Sequence, residues 1–256
     1  MLLVRSILFN IAFFLNTLLW MVVLLPLFAA PRKVFMHGPK VWARSTLWLL
    51  RVIAGTRSEY RGLERIPPGG LLVAAKHQSA WETVALVPMF EDPTFILKRE
   101  LMWIPLFGWY LAKARCVPID RKAGSLALAK MNERAREEVR AGRQILIFPE
   151  GTRKPPGARP AYKYGVAHLY QSLGVPCLPV ALNSGLYWPR RALIRRSGTI
   201  RAEILEPIPP GMPREAFFPL LQSQIEASTN RLLAEGEAEL GPAAPGRSTP
   251  ASSRSA

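Results

Sequence analysis

The sequence predicts an α/β domain: a mixed, mainly parallel sheet flanked by helices, behind an N-terminal membrane-associating helix pair. Three observations point there. Short apolar runs alternate with helical patterns from Leu71 to Leu205, which is how successive parallel strands and their crossover helices read. Two of the apolar runs end in polar loops, the place where open α/β sheets hold their ligands. Before all of this, Ser6 to Ala30 contains no charged residue.

Those 25 residues would span about 37 Å as a helix, enough for a hydrocarbon core of about 30 Å. The apolar stretch is too long for a signal peptide, and Phe28-Ala29-Ala30 is a poor cleavage site. Asn10, Asn16 and Pro26 weaken a full span. Arg32, Lys33, Lys40 and Arg44 follow it and Arg5 alone precedes it, so a spanning helix would leave the rest of the chain in the cytoplasm. Pro39 to Ala54 reads as an amphipathic helix, with Val41, Trp42, Ser45, Leu49, Val52 and Ile53 along one side. Its Trp48, Lys40, Arg44 and Arg51 suit an interface, though the helix could equally pack on the domain.

Residues 1–54 are therefore expected to anchor the chain, 55–240 to form the α/β domain, and 241–256 (Pro, Ala, Gly and Ser with two Arg) to be a disordered tail. A chain beginning at Gly55 is expected to fold by itself. Ser58 to Gly62 is a possible strand, and Pro67-Pro68-Gly69-Gly70 a turn. Further strands are expected near Leu71–Ala75, Thr94–Leu97, Arg115–Ile119, Gln144–Phe148, Cys177–Leu182 and Thr199–Leu205. The helices between them fall near Ala80–Met89, Glu100–Ala112, Gly124–Ala141 and Tyr164–Leu173. The third repeats Leu128, Met131, Ala135 and Val139 at helical spacing. Pro213 to Ala234 closes the domain with Phe218, Leu221, Ile225 and Leu232 on one face.

Charge narrows the partners. The 256 residues carry 34 Lys and Arg against 18 Asp and Glu, a net +16. No acidic residue precedes Glu59, and none lies between Glu150 and Glu203, where nine Lys and Arg do. Such a chain seeks nucleic acid, anionic lipid or phosphorylated ligands, and the apolar N-terminus favours lipid over nucleic acid. Arg190, Arg191, Arg195, Arg196 and Arg201 read as a cationic patch for an anionic membrane surface or the phosphates of CoA, or as a solvated face. Cys116 and Cys177 each sit in an apolar run and read as buried free thiols, which argues against a disulfide scaffold or a four-ligand zinc site.

The first motif is Lys76-His77-Gln78-Ser79-Ala80-Trp81-Glu82, between an apolar run and a helical one. Residues five apart on one helix point about 140° apart, so His77 and Glu82 can meet only across the turn that starts the helix. Glu82 could then hold one imidazole nitrogen and leave the other as a base. The same residues also make a capping box, with Ser79 as N-cap and Glu82 reaching back to it. The second motif, Phe148-Pro149-Glu150-Gly151-Thr152-Arg153, follows Ile145-Leu146-Ile147. Glu150 and Arg153 offer an acceptor and a bidentate donor for a phosphate, or form a structural ion pair in a tight turn.

His-x4-acid followed about seventy residues later by Phe-Pro-Glu-Gly-Thr-Arg resembles the glycerolipid acyltransferase family. Between them, Cys116-Val117-Pro118-Ile119-Asp120-Arg121 is similar to that family's second block, and Val175-Pro176-Cys177-Leu178-Pro179-Val180 to its fourth. Two positions depart from the family pattern: Glu82 stands where the acid is usually Asp, and Lys76 where Asn usually precedes the histidine.

The resemblance implies an O-acyltransferase that moves a fatty acyl group from acyl-CoA or acyl-carrier protein to the sn-2 hydroxyl of 1-acylglycerol 3-phosphate. The product would be phosphatidic acid, made at the cytoplasmic face of a bacterial inner membrane. It implies His77 as general base and Glu82 as its orienting acid, with Arg121, Glu150, Gly151, Thr152 and Arg153 around the acceptor phosphate. Lys98, at the end of Phe95-Ile96-Leu97, is a further substrate-binding candidate. No cofactor or metal is needed, and His37 and His168 are assigned no role. Other lysolipids, such as a lyso-aminolipid, fit the same blocks, and a non-enzymatic membrane-bound basic protein is the alternative outside catalysis.

Overall fold

The computed structural model describes residues 1–120 and 124–243, without the side chains of residues 124–127 and 243. Arg121 and the tail beyond residue 243 lie outside the described residues.

Among the described residues, seven strands form one sheet: β1 (Thr56–Arg61), β2 (Leu71–Ala75), β3 (Pro93–Lys98), β4 (Val117–Ile119), β5 (Gln144–Ile147), β6 (Cys177–Leu182) and β7 (Gly198–Ile204). Their order is β1-β7-β6-β2-β5-β3-β4. All pairs are parallel except β6 with β7, so the expected mixed, mainly parallel sheet is present. The helices are α1 (Leu2–Val23), α2 (Arg32–Phe35), α3 (His37–Leu49), α4 (Trp81–Ala85), α5 (Phe107–Lys113), α6 (Gly124–Arg140), α7 (Gly165–Leu173), α8 (Ser184–Tyr187) and α9 (Arg214–Leu240).

Side chains alternate across a strand, and β2 shows what each face covers. Leu72 and Ala74 join Met131, Ala135, Val166, Leu169 and Phe217, from α6, α7 and α9. Leu71, Val73 and Ala75 join Leu86 and Phe90, which follow α4. Both faces are buried, so β2 is wholly apolar rather than alternating. The same alternation, carried past the strand end, sends Lys76 towards α9 and His77 towards α4.

Several elements depart from the sequence expectation. The uncharged stretch is not one helix: α1 stops at Val23 and a 3-10 turn, Leu25–Ala29, holds Pro26 near its start. Glu100–Ala112 is also broken, into a 3-10 turn (Arg99–Trp103) and α5. Pro105 drives the preceding Ile104 out of helical geometry, to ψ 120°. At the other end of the chain, α9 runs six residues beyond Ala234 to Leu240. That extension is held by ion pairs, Glu235 with Arg61 at 2.9 Å and Glu239 with Arg201 at 2.9 Å, and Leu240 packs at the margin of the core. On the apolar face of α9, Phe217 is fully buried, while Phe218 only packs against the margin of that core.

The N-terminal helices are not a separable appendage. Phe9 of α1, together with Leu50 and Ala54 after α3, is buried in one cluster with Trp81, Leu182, Leu186, Trp188 and Ile200 of the domain. Ser6 Oγ accepts from the Arg195 amide at 2.8 Å, and Asn10 donates to the Leu193 carbonyl at 2.9 Å. A chain starting at Gly55 would expose that cluster, so the expectation that it folds alone does not fit the packing. The opposite side of α1 is bare: Leu3, Ile7, Ile11, Phe14, Leu18 and Val22 are all exposed, at helical spacing.

The arginine patch is also largely committed. Arg195 is buried against Trp188 and Asn10, and its guanidinium pKa is pushed down to about 10 by burial. Arg201 pairs with Glu59 and Glu239, and Arg190 donates to the Arg153 carbonyl.

Candidate active site

The site lies at the carboxyl ends of β2 and β5. β2 ends at Ala75, and residues 76–80 turn the chain into α4. Across that turn His77 Nδ1 meets Glu82 Oε1 at 2.9 Å. The same oxygen accepts from the backbone amides of Gln78 (2.7 Å) and Ser79 (2.6 Å). Ser184, from α8, donates its hydroxyl to Glu82 Oε2 at 2.8 Å. Glu82 is fully buried, and every one of these donors converges on it.

Both readings of the motif therefore coexist. Ser79 Oγ caps the Trp81 amide at 3.0 Å, and Glu82 reaches back to the Ser79 amide, as in a capping box. The carboxylate that closes the turn is also the one that holds the imidazole. A side chain fixed by three further hydrogen bonds keeps His77 Nδ1 in one place, and this leaves Nε2 able to accept a proton. The ring is held on its face as well, stacked on Phe148 at a centroid distance of 4.0 Å and an angle of 13°.

Phe148 opens the second motif, so the two loops are joined at the imidazole. They are joined again through the backbone. Glu150 Oε1 accepts from the His77 amide at 3.0 Å, and the Lys154 amide donates to the His77 carbonyl at 2.8 Å. Glu150 is buried, and burial raises its carboxyl pKa. It faces His77 and Lys76 rather than open solvent. Gly151 turns the loop at φ 66°, Thr152 is exposed, and Arg153 is half-buried with its carbonyl held by Arg190. Lys98, at the end of β3, is exposed and paired with Glu100 at 3.0 Å. One strand, β5, separates β3 from β2. Arg121 lies outside the described residues. The structure thus gathers His77, Glu82 and Glu150 into one contact set, with Gly151, Thr152 and Arg153 on the adjoining loop, and keeps Lys98 apart.

Five contributors are not visible as such in the sequence. Ser184 comes from 102 residues beyond Glu82, and Phe148, although it opens the second motif, carries no sequence sign that it stacks on His77. Lys76 stands out only as a departure from the family pattern. It is buried, 2.6 Å from Glu226 on α9 and 3.4 Å from Glu150. Tyr162 donates to the same Glu226 oxygen at 2.9 Å. Beside this pair a cavity of about 460 Å³ opens, lined by Lys76, Gln78, Arg159, Glu226 and Thr229.

Removing one partner of a buried pair leaves the other charge uncompensated. Lys76→Met is therefore expected to lower the unfolding free energy by about 3–5 kcal/mol in urea denaturation. A change below about 0.5 kcal/mol would show that the pair contributes nothing net.

Comparison with known proteins agrees with the geometry. Residues 57–183 match the family model described as Acyltransferase, a span that contains both loops and stops one residue short of Ser184. The chain is 36% identical over 93% of its length to the 1-acyl-sn-glycerol-3-phosphate acyltransferase of Pseudomonas aeruginosa, covering 92% of that protein. It is 30% identical over 63% of its length to the lyso-ornithine lipid O-acyltransferase of the same organism, covering 68% of it. Its fold matches the crystal structure of the 1-acyl-sn-glycerophosphate acyltransferase PlsC from Thermotoga maritima. That match has a TM-score of 0.77 at 23% identity, over 91% of this chain and 98% of the other. With a relative this similar along nearly its whole length and a site built from the two loops the family model spans, the chain belongs to the acyltransferase family and is an O-acyltransferase.

Proposed function

We propose that the protein acylates the sn-2 hydroxyl of 1-acylglycerol 3-phosphate, using an acyl thioester of CoA or of acyl-carrier protein, and releases phosphatidic acid. The observation that carries the reading is the imidazole clamped at Nδ1 by Glu82 with Nε2 left to act. His77 Nε2 takes the proton of the lipid hydroxyl as its oxygen attacks the thioester carbonyl. The tetrahedral intermediate collapses, the C–S bond breaks, and the thiolate leaves with the proton returned from the imidazolium. General-base assistance of this kind contributes about 10²–10⁴-fold. The buried carboxylate of Glu82 stabilises the transient imidazolium, as the acid does in a Ser-His-Asp triad, except that the substrate brings the hydroxyl.

Arg153 is the described residue best suited to the acceptor phosphate, with Arg121 and Lys98 as further contacts and Gly151 and Thr152 shaping the loop. Glu150 serves the site through the His77 amide. The bare apolar side of α1, a helix of 22 residues, supports seating in a membrane, and the basic flank after it suits the anionic surface of a cytoplasmic leaflet. Because the other side of α1 packs on the domain, the helix pair is proposed to lie in one leaflet rather than to cross both.

The similarity to a lyso-ornithine lipid O-acyltransferase makes a second acceptor class a concrete comparison. Purified protein would be given acyl-CoA or acyl-carrier protein with either lysophosphatidate or lyso-ornithine lipid, and the lipid products identified by mass spectrometry. Phosphatidic acid as the main product is expected. Turnover of the aminolipid alone would replace the proposed acceptor, and acylation of neither, with either donor, would overturn the reading.

A further inference from the structure

A second apolar surface stands beside α1, and none of the described residues covers it. Leu101, Trp103, Ile104 and Trp109 are exposed, the two tryptophans by 65% and 63%. They belong to the segment that runs from the end of β3 into α5. Two tryptophans left this bare are costly in water, since each offers a large apolar area.

The segment is also strained in a way that keeps them out. Leu106 has φ 64° and ψ −55°, and the Phe107 amide donates to the Pro105 carbonyl at 2.7 Å. This is a γ-turn of the rare positive-φ kind, which a branched side chain adopts only when its surroundings impose it. Two residues on, the chain must be glycine, because a Cβ at Gly108 would sit 2.1 Å from the Met102 carbonyl oxygen. The turn packs Gly108 inwards against Met102 and leaves Trp103, Ile104 and Trp109 directed to the surface.

The patch is continuous with α1. Tyr110, next to Trp109, donates to the Met21 carbonyl at 2.6 Å and stacks edge-on against Phe28 at 4.8 Å. Lys113 donates to the Phe28 carbonyl at 2.9 Å. The segment that Tyr110 and Lys113 contact includes the exposed Val22 and Val23 at the end of α1 and Leu25 in the turn after it. Arg99 lies over the Trp103 ring at 5.5 Å, a cation and an indole together as at a membrane–water boundary. The segment begins at the carboxyl end of β3, the same end of the sheet as His77, with Phe148 between His77 and Phe95 of β3.

We propose that Leu101, Trp103, Ile104 and Trp109 form a second bilayer contact, seated in the headgroup–acyl boundary of a phospholipid membrane. It orients the mouth of the site towards lysolipid in the leaflet. The proposal rests on the membrane seating of α1 and adds a contact supplied by the catalytic domain itself.

Its test uses the full chain and vesicles of phosphatidylethanolamine and phosphatidylglycerol containing lysophosphatidate. An environment-sensitive fluorophore on Ile104→Cys, with the unsubstituted chain as labelling control, is expected to shift to the blue and become shielded from aqueous iodide when vesicles are added. The Trp103→Ser/Trp109→Ser variant is expected to lose about tenfold or more of its turnover on vesicles, given the apolar area removed, and to match the unsubstituted chain on detergent-dispersed lysolipid. A label that stays open to iodide on protein that floats with vesicles overturns this contact alone, as does full vesicle activity in the double variant. Failure of the unsubstituted chain to float overturns the seating of α1 as well.

Discussion

Replacing His77 with alanine is expected to cut acyl transfer by at least about 10²-fold while the domain stays folded. The side chain donates nothing to the fold that its neighbours cannot replace: its backbone amide and carbonyl, held by Glu150 and Lys154, make the structural contacts and survive the substitution. What disappears is the group that the two loops orient together, through Glu82 on one edge and Phe148 on one face. A lipid hydroxyl without a base is a weak nucleophile at neutral pH, so the loss should fall on kcat rather than on KM. Steady-state rates with an unchanged circular dichroism spectrum would check it. More than about a tenth of the original turnover would remove His77 from the base role.

Glu82→Gln is expected to have the second largest effect, again about 10²-fold or more in kcat. The substitution is nearly isosteric. The glutamine carbonyl can face the Gln78 and Ser79 amides and His77 Nδ1, and its NH₂ can face Ser184 Oγ, which has lone pairs to accept. The turn should survive at a cost of about 1–3 kcal/mol. The missing element is the negative charge opposite an imidazole that, in the proposed mechanism, gains a proton during each turnover. Paired measurements of kcat and thermal stability separate the two duties. A variant that is fully active and merely less stable would make Glu82 a cap and nothing more.

How much of this can be read from the chain depends on whether partners are near in sequence. β2 and β6 are expected at Leu71–Ala75 and Cys177–Leu182 and are observed there, because central strands buried on both faces are uninterrupted apolar runs. The contact of His77 with Glu82 is legible because both ends lie within one turn. Edge elements are harder. β1 reads Thr-Arg-Ser-Glu-Tyr-Arg and is stabilised by its pairing with β7, which lies far along the chain, Thr56 opposite Gly198. The end of α9 offers only Leu240 as an apolar contact beyond Ala234, and ion pairs to β1 and β7 that the sequence does not announce help to hold it. The Lys76–Glu226 pair, separated by 150 residues, leaves no local trace beyond an unusual lysine. Pro105 announces the break in residues 100–112, but the strained Leu106 that follows cannot be inferred from composition.

The seam between α1 and the domain also has a consequence for the order in which the molecule is assembled. Ser6 meets Arg195 across 189 residues of chain, and Phe9 packs against Trp188 with ring centroids 5.1 Å apart. During synthesis α1 is finished long before its partners exist. Its outer face can already be in lipid while Asn10 and Ser6 wait for the 187–196 loop. Closing so long a loop from a free chain carries an entropic penalty and slows folding. A first helix resting in the membrane confines the search to two dimensions around a fixed site. If α1 is seated as proposed, the bilayer would act as a folding template before it became a source of substrate, and refolding from denaturant without an amphiphile would lack that template.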